Sequence, residues 1–300
     1  MFLQQSINGL TLGAVYALIA LGYTMVYGIL GLINFAHGEI YMLGAYLAII
    51  VFGILTVSGI TAYSLPLSIL IVFIVAGIFC GAYGLTVERT AYRPLRHAHR
   101  LSPLISAVGM SIFLQNYVML TQGTTDKVFP HIMPSGSINI SNAFISYIQI
   151  FILTASFVLM AALHFFVKKT RLGKAMRATS QDKKMASLVG INIDSIIAIT
   201  FVIGSVMAAA AGMMVSMYYG SVNFFVGYAA GIKAFTAAVL GGIGNIPGAM
   251  LGGIILGLVE GYGAGYISSE YKDIFAFAIL IIVLIFMPTG LLGEKISEKV

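Results

Sequence analysis

The chain has 300 residues, of which 59% are hydrophobic and only 9% are charged. Soluble domains carry about 25% charged residues; 16 Lys and Arg with 10 Asp and Glu cannot solvate the surface of a fold this size. A soluble enzyme, a nucleic-acid-binding module and a disordered protein are therefore excluded, which leaves an all-α polytopic membrane protein, a bundle of apolar helices.

Residues 1–38 hold no Lys, Arg, Asp or Glu, which predicts a first span near 9–33. Its apolar run from Ile7 to Phe35 is too long for a signal peptide, and no basic segment precedes it, so it reads as a span that stays. From Ile40 to Val87 there is again no charge, enough for two spans, with breaks at Ser58-Gly59-Ile60-Thr61 and Pro66. The single Cys80 lies between Gly77 and Gly81 and reads as a small buried side chain. Further spans fit at about 101–121, 146–167 and 195–218. The Gly-dense stretch 227–262 fits one long broken span or two short ones, and a last span covers about 272–290. The count is eight, or nine.

Orientation follows from the basic residues, which gather in cytoplasmic loops. Arg89, Arg93, Arg96 and Arg100 lie in one segment. Lys168, Lys169, Arg171, Lys174, Arg177, Lys183 and Lys184 lie in a second, and Lys295 and Lys299 in the tail. With these inside, three spans precede Arg89 and the N-terminus faces outward. Parity then asks the Gly-dense stretch for two passes, or for one span and a re-entrant piece. The largest outer loop is 122–145, broken by Gly123, Pro130, Pro134 and Gly136; its Asn139-Ile140-Ser141 sequon reads as chance. No segment outside the spans is long enough to fold alone, so residues 1–300 form a single membrane domain.

No catalytic or metal constellation is legible. Gly173-Lys174 is followed by Ala175, and Lys168 stands where a phosphate-binding loop needs its first Gly, so the chain holds no ATP site. Gly241 to Gly248 lacks dinucleotide-loop spacing and reads as a tight break between helical pieces. His97 and His99, two residues apart in a basic loop, suit an interfacial role better than a metal site. Gly253, Gly257, Gly261 and Gly265, like Gly204, Ala208 and Gly212, recur every four residues, the spacing that lets helix backbones approach closely in a bilayer.

Ionisable groups inside spans are expensive, so they are the candidate functional residues. Asn34, His37, Gly38 and Glu39 form a polar cluster bracketed by Gly31 and Gly38, with Asn34 and His37 three residues apart, the spacing of one helical face. It reads either as a hinge or pathway lining, or as a polar turn at the membrane surface. Lys233 and Glu260 are the other two; Lys233 can snorkel to an interface, and Glu260 can sit near a helix end. In the basic segment, Lys183 to Val189 predicts a short helix capped by Thr179 or Ser180 and ended by Gly190. Met185, Leu188 and Val189 fall at i, i+3 and i+4 and make one small apolar face that needs a membrane or a partner groove to bury it.

Thr170-Arg171-Leu172-Gly173-Lys174-Ala175-Met176-Arg177-Ala178, followed by Ala186 and Gly190-Ile191-Asn192, resembles the coupling loop of bacterial ABC importer permeases. Ala186 and Gly190 keep two elements of its EAAxxxG pattern, while Lys184 and Met185 replace the Glu and the first Ala. Ile33-Asn34-Phe35-Ala36-His37-Gly38-Glu39, then Val87 to Leu95, then Lys233 to Gly244, resemble the branched-chain amino acid permeases of the LivH type. With Met287-Pro288-Thr289-Gly290, the resemblance covers nearly the whole chain. It implies one membrane half of an importer for Leu, Ile and Val in the bacterial inner membrane. It implies as partners a second, similar permease subunit, two cytoplasmic ATP-binding subunits that use ATP and magnesium, and a periplasmic substrate-binding protein. This chain itself would need no cofactor. Coupling to the ATPases would fall to Lys183, Lys184, Met185, Ala186, Leu188, Val189 and Gly190 within the loop 168–194. The rival readings are a permease for another small solute, a transporter or channel that works alone, and a membrane enzyme. Paired intramembrane carboxylates would mark the stand-alone transporter.

Overall fold

Twelve α-helices follow one another in a computed structural model that describes residues 1–96, 98–99, 101–130, 136–140 and 143–293. They are α1 (Phe2–Leu30), α2 (His37–Val57), α3 (Ile60–Tyr63), α4 (Leu65–Val87), α5 (Leu101–Gln122), α6 (Tyr147–Lys169), α7 (Arg171–Gln181), α8 (Lys183–Leu188), α9 (Ile193–Tyr219), α10 (Val226–Gly241), α11 (Ile246–Tyr266) and α12 (Lys272–Phe286). His97, Arg100, Pro134, Ser141, Lys295 and Lys299, which enter the sequence reading, lie outside the described residues.

Seven of the helices are long and apolar enough to cross a membrane, and α10 is a shorter apolar one. The Gly-dense stretch is thus two helices, α10 and α11, rather than one broken span. At one end of the bundle Gln4 exchanges hydrogen bonds with the Phe144 backbone, and β1 (Lys127–Val128) pairs with β4 (Ser221–Val222). At the other end Lys183 reaches the Leu30 carbonyl, Arg93 and Arg96 bind Asp194, and the amides of Leu291 and Leu292 bond Leu240 and Gly241. The described parts of the first two basic clusters gather at this second end, and the N-terminus lies at the first, as the orientation argument requires.

Local chemistry starts and stops these helices. Ser64 and Pro66 open α4; Ser146 and Gln149 form a capping box on α6, whose last turn carries Lys168 and Lys169 against the helix dipole. Asn245 caps α11 by accepting from the Gly248 amide at 3.0 Å, with Pro247 in the first turn. The break read at Gly241 to Gly248 is this junction. The outer loop adds what the sequence reading lacked, a hairpin of β2 (Ser137–Ile140) and β3 (Ala143–Ser146).

The core runs along α1, which is buried for most of its length, while α5 is mostly exposed. In lipid there is little hydrophobic drive between helices, so close packing of small residues must hold them. The glycine stripes do this. Gly253, Gly257 and Gly261 of α11 face Ala17, Gly13 and Gly9 of α1, and a methyl group on Gly13 would lie 2.8 Å from Ile254 Cα. On α9, Gly204 packs on Gly22 and Gly212 on the Tyr41 backbone. Overpacking of a fitted seam costs about 1–3 kcal/mol, so Gly257→Val is expected to lower the detergent melting temperature clearly. Gly53→Val, on a glycine with open space around it, should leave it near the parent value.

Candidate functional site: interior polar clusters and a coupling arm

Helix α1 ends at Gly31, whose left-handed φ of 71° turns the chain and lets its amide bond Tyr27. Residues 31–36 are non-helical, and α2 starts inside the bundle: His37 lies edge-on to Tyr23 of α1, ring centroids 4.9 Å apart. Tyr23 stands seven residues before the end of α1, so α2 begins about 10 Å in from that end. Asn34 is therefore not on a helix, and the shared helical face expected for Asn34 and His37 does not exist; Gly31 ends α1 before Asn34, and α2 starts only at His37. Asn34, His37 and Glu39 are each 1% exposed. The bundle therefore encloses the cluster rather than leaving it on the protein surface. Non-helical backbone at this depth needs protein around it or a water-filled cavity.

The N-terminus of α10 meets this break. Its 16 residues span about 24 Å, less than a hydrocarbon core of about 30 Å. Gly227 and Gly231 pack directly on Gly38, where a methyl group would lie 2.8 Å from Gly231 Cα. Glu39 accepts from Ser111 Oγ of α5 at 3.1 Å, and its other oxygen has no partner among the described residues; nor has His37 Nε2. Buried polar atoms left unpaired are costly and rare.

The motif at 87–95 joins the same place. After Val87 the chain takes a π-helical turn, Glu88–Tyr92, and then a 3-10 turn at Arg93–Leu95. Such turns re-aim side chains. Here Tyr92 is brought to the break, its hydroxyl 3.2 Å from Asn34 Oδ1 and 3.1 Å from the Ile33 carbonyl. Buried Glu88 binds Arg96, which also holds Asp194 of α9, so the turn is tied to the basic end.

A second cluster joins α1, α10, α11 and α12. Lys233 Nζ lies 2.8 Å from Glu260 Oε1 and 2.7 Å from Asp273 Oδ1, and Tyr16 OH donates to Glu260 Oε2 at 2.9 Å. Lys233 does not snorkel: its side chain is 7% exposed and the carboxylates hold it inside. Glu260 is not at a helix end but six residues inside α11, where its charge is matched by Lys233.

The family of branched-chain amino acid transport system permease components matches residues 5–284. The chain belongs to this family. The high-affinity branched-chain amino acid transport system permease protein BraD of Pseudomonas aeruginosa is 53% identical, over 100% of this chain and 98% of that protein. The corresponding LivH of Escherichia coli K12 is 52% identical over the same shares. A probable LivH of Methanocaldococcus jannaschii is 26% identical over 92% of this chain and 88% of that protein.

In this permease the basic segment 168–194 is an arm of two helices rather than a loop. Thr170 caps α7, accepting from the Gly173 amide at 3.0 Å. Asp182, not Thr179 or Ser180, caps α8: its Oδ1 accepts from the amides of Lys184 and Met185. Thr179 and Ser180 are still inside α7, their hydroxyls turned back to its carbonyls. Gly190, with φ of 86°, ends the arm as expected. Ala186 is buried, whereas Met185, Leu188 and Val189 are 63%, 80% and 76% exposed. The apolar face read from spacing is thus an uncovered tip at the basic end.

Sequence reasoning missed Tyr92, Tyr23, Ser111, Tyr16 and Asp273. Tyr92 was inside a quoted motif, and its position one residue before Arg93-Pro94 was the available signal. Asp273 carried one as well, a charge inside the span expected at about 272–290, while Tyr23, Ser111 and Tyr16 carry none beyond their type.

Proposed function

We propose that this permease is one membrane half of an ATP-driven importer of Leu, Ile and Val in the bacterial inner membrane, folded as a single membrane domain. The observation that carries this is the 53% identity to BraD along the entire chain. A second permease subunit completes the pathway, two cytoplasmic ATPases bind at the basic end, and a periplasmic binding protein delivers the amino acid. The exposed tip of Met185, Leu188 and Val189 supports the ATPase contact, with Lys183, Lys184, Ala186 and Gly190 shaping it. The meeting of two helix starts at Gly38 supports a hinge at Asn34, His37, Gly38 and Glu39, since discontinuous helices in transporters end at pathways. Lys233 and Glu260 brace the helix that carries the other side of this junction.

The test is reconstitution in vesicles. The full assembly should take up leucine only with ATP, and the chain alone should show neither ATPase activity nor uptake. Ion-driven uptake by the chain alone would overturn the reading. Glu39→Gln separates function from folding at the hinge. Removing a buried charge with one unpaired oxygen should leave the melting temperature equal or higher. Uptake should nevertheless fall, about tenfold if the change costs the moving state about 1.4 kcal/mol. Unchanged uptake would remove Glu39 from the pathway.

A further inference from the structure

Beneath the coupling arm a cavity of about 1220 Å³ opens at the basic end. Among the described residues Lys168, Arg177, Lys183 and Lys184 line it, against one carboxylate, Asp182. That carboxylate is already engaged in capping α8. Arg177 spends one donor on the Lys168 carbonyl at 3.3 Å, and Lys183 donates to the Leu30 carbonyl at 3.3 Å. Partial burial, and then the Arg96 guanidinium, hold Lys183 below the usual lysine pKa.

The deeper wall is different. Val167, Phe235 and Leu284 make it apolar. Thr24 also lines it; it is 1% exposed, and its hydroxyl has no partner among the described residues. Thr24 lies six residues before the end of α1, so about 9 Å further into the bundle than Leu30. The cavity's sides come from α6 and α12, whose outer faces expose Phe157 and Phe165, and Ile281 and Ile285. Those faces suit acyl chains.

We propose that this cavity is a binding site for an anionic phospholipid. Its phosphate sits among the four basic groups at the mouth. Its glycerol ester region reaches the Thr24 hydroxyl, which donates to a carbonyl oxygen there. Its acyl chains leave along the apolar wall toward the bilayer. Basic pockets between spans at the cytoplasmic surface hold phosphate headgroups by this combination. A free phosphate would use the mouth but leave the apolar wall and Thr24 unserved.

The experiment is native mass spectrometry of the purified full chain in mild detergent, offered equal amounts of phosphatidylglycerol and phosphatidylethanolamine. The parent should retain the anionic lipid about tenfold over the zwitterionic one. Lys168→Gln with Arg177→Gln should abolish that preference, while Lys168→Arg with Arg177→Lys should keep it. Thr24→Val, which alters no charge, should weaken retention of both lipids about threefold. Melting temperatures identify any misfolded variant, and the conservative pair and Thr24→Val then decide. An undiminished preference in the folded Gln pair would overturn the proposal. So would displacement of the lipid by an equal concentration of inorganic phosphate, which would make this a site for the free anion.

Discussion

Lys233→Met is expected to cost about 3–5 kcal/mol, the usual penalty for removing one partner of a buried ion pair. It should appear as a large fall in the detergent melting temperature and in the yield of intact protein. Lys233 joins α10 to Glu260 of α11 and to Asp273 of α12. Glu260 is 2% exposed, and without the ammonium it keeps only the Tyr16 hydroxyl among the described residues. Glu260→Gln should cost less, about 1–2 kcal/mol. Lys233 would still hold Asp273, whose side chain is half exposed and shares its charge with solvent. The double variant Lys233→Met, Glu260→Gln should be more stable than Lys233→Met alone, because an amide beside Tyr16 leaves no charge behind. Losses that merely add would mean the two groups do not interact. A Lys233→Met chain as stable as the parent would refute the brace altogether.

That cluster marks a boundary of what a sequence can convey. Lys233 and Glu260 stood out individually, because each puts a charge inside an apolar run. Their pairing was invisible, since 27 residues and a helix reversal separate them, and Tyr16 lies 217 residues from Lys233. Periodicity reports which face of a helix is apolar, not which face of another helix it meets. The same holds for Tyr92 and Asn34, 58 residues apart and brought together by a π-helical turn with no local pattern of its own. The break at Gly31 and Gly38, by contrast, was legible, because glycines around polar residues in an apolar run leave few other solutions. Its depth was not legible: that depends on where α2 packs against Tyr23.

The cap of α8 shows a different kind of miss. Asp is as good an N-cap as Ser and better than Thr, and Asp182 stands immediately before Lys183. The signal was present, but the run Thr179-Ser180 drew it two or three residues early, because α7 was not seen to continue through them. The outer hairpin was likewise written in Ser137-Ile138-Asn139-Ile140, which alternates polar and apolar residues. The α-helical composition of the rest hid it.

Leu188→Asp should abolish ATP-driven uptake while leaving the chain in the membrane at the parent level. Leu188 is 80% exposed at the tip of the arm and makes no core contact that the change would disturb. The arm below it stays intact, because α8 rests on buried Ala186 and turns at Gly190, with the Ile191 amide bonded to the Ala186 carbonyl at 3.0 Å. Met185, Leu188 and Val189 would each contribute about 1.5–3 kcal/mol if fully buried in a partner groove. A carboxylate at the centre of that face cannot be desolvated without a partner, so docking fails there first. Leu188→Met keeps the volume and should keep uptake. The three readouts are membrane level, ATPase co-purification and leucine uptake in the same cells. Lost co-purification with lost uptake places the tip in the groove. Retained co-purification with lost uptake assigns it to transmission of the stroke rather than to assembly. Normal uptake by Leu188→Asp at a normal membrane level would free the arm of any coupling role, and the turn at Arg89 to Arg96, locked to α9 through Asp194, would be the next segment to test.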